Sequence, residues 1–470
     1  MSLEALSKQL GISAGTVSVE EQEINIELNI ESDEDGVPVD TTEAPEAQIL
    51  DAQEGEEELD NTAEAQEELE EAHEALEALA ISIESYKATG GLTAQIAEEK
   101  YQQLDLITRR WGSLRTSCPS VESFGLESSQ LEATVSLENT VIDAIKRFWQ
   151  TIIDTVSKWV ADFKAWIVKI TNAGTRLTKR AEKVKKMISD IKQDPSSKDA
   201  EGRSAAKVYM KEGSVLDGMS TLREVVYGAF EKNIAQSSKV VEGLLSSIKA
   251  ADKSGGASEI AAPGLGTVQA MYTGLAAGGF IPAPGGGKYK ISKPLPGGVA
   301  FGAIDGIQGI SSQFKFTSDV NSAKDVKAHV NKFHVAFPAI VGKEVLGKAK
   351  VKYLSGADAA KVVDKVIEVA KLCEGYKSKF AEREKVSNSI TALAKEQISS
   401  IKSSDDKNAQ STGATKTAVQ VAQTIQSKIT QADKTILANA LTISHKVLDF
   451  VVSSVSAGKG EAKEEKKDGE

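Results

Sequence analysis

Residues 139–170 read NTVIDAIKRFWQTIIDTVSKWVADFKAWIVKI, and this stretch decides the fold. Val141, Ile142, Ile145, Phe148, Trp149, Ile152, Ile153, Val156, Trp159, Val160, Phe163, Trp166, Ile167 and Ile170 recur at alternating steps of three and four. That spacing draws one wide apolar stripe along an α-helix. Lys146, Arg147, Lys158, Lys164 and Lys169 occupy other faces, mixed with Asp143, Asp154 and Asp162. Three uses fit the stripe marked by Phe148, Trp149, Trp159, Phe163 and Trp166: burial against helices of the same domain, docking on a partner subunit, or lying in a membrane surface. The last is least favoured, because an interfacial helix on anionic lipid carries mainly Lys and Arg on its polar face, not interspersed Asp.

Downstream, the helical pattern runs past a break expected at Asn172-Ala173-Gly174 into Arg176, Lys179, Arg180, Lys183, Lys185 and Lys186, relieved only by Glu182. These cations are either a solvated helix face or a counterion surface for nucleic acid. No zinc finger, helix-turn-helix or aromatic base platform accompanies them, so any contact with DNA is expected to be non-specific and salt-sensitive. Asp194-Pro195-Ser196-Ser197 ends the unit. Beyond it, helices are expected over 203–252 with a break near Gly213, then 322–333, 357–402 and 414–456, packing as an antiparallel bundle. Residues 255–318 are dense in Gly and Pro and interrupt the bundle, with hairpin strands expected at Lys288–Ile291 and Ser312–Phe316.

Upstream, the charge changes sign. Residues 1–138 carry 33 acidic and 6 basic side chains, and residues 139–470 carry 35 acidic and 50 basic. Two adjacent segments of opposite sign suggest an acidic tail masking a basic body. Residues 1–60 are one-signed and poor in large apolar groups, so burial has little to set against ordering entropy and a disordered leader is expected. From Asn61 to about Arg115 the pattern is a helical hairpin turning at Gly90-Gly91.

Composition removes several function classes. Cys118 and Cys373 lie far apart with no CxxC or Cys/His cluster, which reads as two unpaired thiols in a reducing compartment. The N-terminus has no basic region followed by an apolar stretch, and no run of about 18 uncharged apolar residues marks a spanning helix. Gly285-Gly286-Gly287-Lys288 lacks the first glycine of a phosphate loop and has Tyr289 where Ser or Thr belongs. Of His73, His329, His334 and His445, only His329 and His334 are close in sequence, without a carboxylate at ligand spacing. No nucleophile elbow and no Cys with a partnered His is present. No catalytic residue, metal site or cofactor is expected.

The acidic leader, Phe124-Gly125-Leu126-Glu127-Ser128, the amphipathic Val141–Trp149 and the lysine-rich helices that follow together resemble the internal head proteins of large tailed bacteriophages. The resemblance implies a non-enzymatic virion protein in the capsid interior, present in the host cytoplasm during assembly and made with a propeptide that a prohead protease removes. Such proteases favour Glu with a small or aliphatic residue two positions before it, which Gly125-Leu126-Glu127 and Ser136-Leu137-Glu138 satisfy; Glu127 and Glu138 are the candidate cleavage sites. Expected partners are that protease, capsid or other internal head proteins, and double-stranded DNA bound without sequence preference, with possible ejection alongside it. A rival reading resembles the α-pore-forming toxins, with Ala261 to Ile281 mimicking their small apolar tongue.

The expected fold is mainly α: long amphipathic helices in an antiparallel bundle, with a Gly/Pro-rich loop or small β-hairpin insertion and a disordered acidic leader. The chain divides into the leader (1–60), an acidic hairpin with the propeptide end (61–127), and an aromatic then basic helical segment (128–195). The bundle (196–456, interrupted at 255–318) and a charged tail (457–470) complete it.

Overall fold

The computed structural model describes residues 75–108, 118–253, 259–305, 313–317, 332–400 and 409–459, apart from positions 77, 88, 126, 264, 285 and 286. The leader over 1–60, most of the expected helix over 322–333, and the tail beyond Lys459 lie outside these residues. Contacts divide the described chain into two compact units. One holds residues 75–152 with 397–400, the other 153–396 and 409–459.

In the first unit, helix α1 (75–87) and helix α2 (Ala94–Thr108) form the expected hairpin. Gly90 and Gly91 sit at φ +100° and +108° between them, a backbone region that favours glycine. Leu76, Leu79 and Ile83 of α1 and Ala97, Tyr101 and Leu104 of α2 are buried. A 3₁₀ turn, Val121–Phe124, follows, with Phe124 packed edge-on against Tyr101, ring centroids 6.0 Å apart.

Helix α3 (Glu127–Met187) runs for 61 residues without interruption. The break expected at Asn172–Gly174 is absent. Gly174 serves close approach instead: a Cβ there would lie 3.1 Å from the Ala370 carbonyl oxygen. Glycine's helix penalty of about 1 kcal/mol is small beside the burial that such an approach allows.

The second unit is a helical bundle, and it takes in the part of α3 from Ile153 that the sequence set apart in the segment 128–195. Its helices are α3 from Ile153, then α4 (Val215–Tyr227) continuing through a π segment (Gly228–Asn233) into α5 (Ile234–Lys253). After helix α6 (Leu265–Thr273) come the two longest bundle helices, α7 (Gly356–Ser400) and α8 (Ala409–Gly458). Ser214 and Asp217 form a capping box that starts α4. Ion pairs fix the directions: Lys164–Glu384 and Lys185–Asp364 show α3 and α7 running antiparallel. Val362, Val366, Val369, Cys373 and Tyr376 of α7 and Ile425, Ile429, Ile436, Ala440, Val447 and Val451 of α8 are buried at steps of three, four and seven, which is the helical period turned inward.

Strand β1 (Asp199–Glu201) pairs antiparallel with β8 (Lys350–Lys352), and β2 (Glu259–Pro263) with β6 (Gln313–Thr317). Strands β3 (Phe280–Pro282), β4 (Lys288–Ile291), β5 (Gly302–Asp305) and β7 (Val335–Ala336) make a sheet in the order β3-β4-β5-β7. The Gly-Gly-Gly-Lys run leads into β4, where Lys288 pairs with Pro282 and Asp305. Strands β2 to β6 lie in the insertion, and β1, β7 and β8 lie outside it. After its expected end at 318, β7 completes the four-stranded sheet beside β5, and β8 pairs with β1, before α7 begins. Lys332 and Phe333, placed at the end of an expected helix, are non-helical.

Candidate nucleic-acid interface and the buried ion-pair centre

Residues Ala173, Leu177, Ala181 and Val184 bury one face of α3 at steps of four, four and three. The six candidate cations divide around that face. Arg180 Nη2 donates to Asp449 Oδ1 on α8 (2.7 Å), and Lys185 Nζ pairs with Asp364 on α7 (2.5 Å). Lys207 completes the first pair from the other side, its Nζ 2.8 Å from Asp449 Oδ2. Burial alone would raise the Asp449 carboxyl, but hydrogen bonds from Lys207 and Arg180 outweigh it and hold the group below the usual range. Burial and then Arg180 push His445 down, its Nδ1 being 3.4 Å from Arg180 Nη1.

Arg176, Lys179, Lys183 and Lys186 are exposed. Their steps of three, four and three place all four on one solvent-facing stripe of α3, flanked by Glu182. The structure therefore splits the basic run into two cations paired with carboxylates of other helices, Arg180 partly buried and Lys185 still exposed, and four that face water.

Part of the aromatic stripe is spent inside the protein. Trp149 and Phe163 are buried, and Trp166 is partly exposed. The Phe163 ring lies 4.9 Å from Phe380, 5.3 Å from Trp166 and 6.4 Å from Tyr376. Lys434 Nζ stands 5.3 Å from the Phe163 centroid and 5.4 Å from that of Trp166. Side chains 148 and 159 lie outside the described residues. At Trp149 and Phe163 burial, not an open docking face, is what the fold uses.

The two candidate cleavage positions also differ. Glu127 is the first residue of α3, two residues after the exposed Gly125. Glu138 lies within the helix, 2% exposed, and its Oε2 is 2.7 Å from Lys87 Nζ. That ion pair falls short of hydrogen-bond geometry.

A further polar centre has no counterpart in the sequence reading. Arg383 and Asp433 are both fully buried, with Arg383 Nη2 3.2 Å and Nε 3.3 Å from Asp433 Oδ2. Tyr272 Oη donates to Asp433 Oδ1 and Tyr376 Oη to Oδ2, each at 2.9 Å. Arg383 Nη1 donates to Ser237 Oγ at 2.6 Å. Burial and the neighbouring carboxylate push both tyrosine hydroxyls far above their usual range, so they remain donors. Burial works against the Arg383 charge, but Asp433 and the tyrosines outweigh it. Helix α5 reaches this centre through Ser237, and the π segment before it is tied to α6, Asn233 Nδ2 donating to the Met271 carbonyl. The available signal was register, since Arg383 falls on the same face as Tyr376, Phe380 and Ile390. Among the described residues no group of three or more His, Cys, Asp or Glu could hold a metal ion.

A family model of phiKZ-like phage internal head proteins matches residues 46–452. The chain belongs to that family. Searches of curated proteins and of solved structures each found no match. As an internal head protein it is a structural component of the virion, located inside the capsid. Against the toxin-like rival, the supposed tongue from Ala261 to Ile281 is divided among β2, α6 and β3. Val421–Gly458 is apolar enough by composition to cross a membrane, yet 61% of its most apolar stretch is buried.

Proposed function

We propose that this internal head protein is non-enzymatic, is made as a precursor cut at Glu127 by the prohead protease, and in mature form lies against packaged double-stranded DNA. Arg176, Lys179, Lys183 and Lys186 are the contact face, and the protein leaves the head with the DNA. The observation that carries the DNA reading is this row of exposed cations on one face of α3. Charge supports the processing step. Residues 1–127 hold 31 acidic and 6 basic side chains, and residues 128–470 hold 37 acidic and 50 basic. Removing the first segment turns a protein repelled by DNA into one attracted to it. Glu127 is preferred to Glu138 because a protease must open the chain locally, which costs less at the first residue of a helix than at Glu138, buried eleven residues inside it.

A salt titration of duplex binding tests the DNA reading. Each phosphate contact contributes about −0.9 to the slope of log affinity against log salt, so four contacts give about −3.6. Replacing Arg176, Lys179, Lys183 and Lys186 by Gln in residues 128–470 should flatten that slope to near zero. An unchanged slope refutes the assignment. The processing step is tested separately by the N-terminal residue of the protein in the particle, expected to be Ser128.

A further inference from the structure

The hairpin α1–α2, on the leader side of Glu127, is pressed against α3, on the body side. A Cβ on Gly91 would lie 3.0 Å from both the Gln130 carbonyl oxygen and Thr134 Oγ1, so the turn touches the helix backbone. Leu92 N–H donates to Thr134 Oγ1 at 2.9 Å, which in turn donates to the Gln130 carbonyl at 2.8 Å. One turn further along, Lys87 meets the buried Glu138 carboxylate. Gln130, Thr134, Leu137, Glu138 and Val141 fall on one helical face, and Leu92, Leu137 and Val141 have no exposure to solvent. Closer to the cut, Ser129 Oγ donates to the Ser123 carbonyl at 2.8 Å.

We infer that the α1–α2 hairpin is a dissociable cap on α3, so that scission at Glu127 leaves the acidic leader bound and unmasking of the basic body is a separate, later event. The cap acts in this way only if the chain is processed at Glu127, as proposed. Its occupant is the chain's own hairpin, recognised by an apolar strip, one backbone donor and one buried carboxylate. Loss of the hairpin leaves Glu138 without its cation and Leu137 and Val141 uncovered, both unfavourable, so a cut bond alone does not expel it. Until it leaves, the leader's negative charge stays attached to the body and opposes DNA.

The test uses the full chain with a site-specific protease sequence inserted between Gly125 and Leu126. After complete cutting, the two pieces should still co-elute as a one-to-one complex on size exclusion. Gly91→Ala should weaken that complex at least tenfold, because alanine is strained at φ +108° in the turn and its Cβ meets the Gln130 backbone. Lys87→Glu should do the same, and the reversed pair Lys87→Glu with Glu138→Lys should restore most of the loss. Circular dichroism before cutting identifies any variant that has failed to fold, in which case the other variant is read. Separation of the wild-type pieces overturns the cap. So does co-elution that neither folded variant weakens. A particle N-terminus other than Ser128 refutes processing at Glu127 but leaves the outcome of this experiment unaltered.

Discussion

Arg383→Met takes the guanidinium from a carboxylate that has no contact with water. In the native protein Asp433 Oδ2 receives Arg383 Nε and Nη2 and the Tyr376 hydroxyl, while Oδ1 receives the Tyr272 hydroxyl. Methionine fills the volume but leaves the charge buried without its partner, which costs about 3–5 kcal/mol. Burial already raises the Asp433 carboxyl, against the opposing pull of Arg383 and the two hydroxyls. Removing Arg383 raises it further above the unfolded value of about 3.9. Between those two values the native state binds more protons than the unfolded state, so stability falls as pH rises. The deficit should therefore be largest at neutral pH and shrink as pH drops toward about 4. Adding Asp433→Asn removes the orphan charge, keeps an acceptor for one tyrosine hydroxyl and offers an amide N–H that the other hydroxyl can accept, recovering most of the loss and giving a coupling energy of about 2–3 kcal/mol in a double-mutant cycle. Urea denaturation of the full chain, followed by tryptophan fluorescence and far-ultraviolet circular dichroism, reads both effects. A loss under about 1 kcal/mol for Arg383→Met, or a loss that is the same at pH 7 and pH 4.5, would refute the account of this centre.

Gly228→Ala places a Cβ 2.4 Å from Leu275 Cδ2 and should cost about 1–3 kcal/mol in the same denaturation assay, since Leu275 must move out of a packed contact. Gly278→Ala should cost more, because its Cβ meets the Ile291 carbonyl at 2.6 Å and the Ser292 carbonyl at 2.8 Å, backbone atoms that move only with the β4 end of the sheet. Titration of the native protein with an aromatic disulfide should give one fast thiol, Cys118, and one released only on unfolding. Cys373 is fully buried, and burial followed by the Glu374 charge pushes its thiol far above the ordinary range. Lys385→Ala, which breaks an exposed pair with Glu242, should change stability by under about 0.5 kcal/mol and serves as the control for the buried pair.

The bundle was legible in the sequence because helical burial leaves a local trace. Each long helix must turn apolar residues to one side every three or four positions, and α3, α7 and α8 carry that trace over most of their length. Strand β4 and the turn at Gly90-Gly91 were legible for the same local reason, as backbone chemistry at adjacent positions, whereas β6 was legible as a strand but not as the partner of the distant β2, since a hairpin was expected there. The sequence by itself also determined the opposition of charge between the two parts of the chain, since net charge does not depend on folding. What only the tertiary structure decided is which member of a locally uniform set meets a partner. Nothing near Arg176, Lys179, Arg180, Lys183, Lys185 and Lys186 distinguishes them, yet Asp449 and Asp364, far along the chain, claim two and leave four to solvent. Gly174 looked like a helix break until α7 lay against it. Arg383 and Asp433, ordinary charged residues in sequence, become an ion pair because two antiparallel helices bring positions 50 residues apart to the same depth, where neither charge can remain without the other.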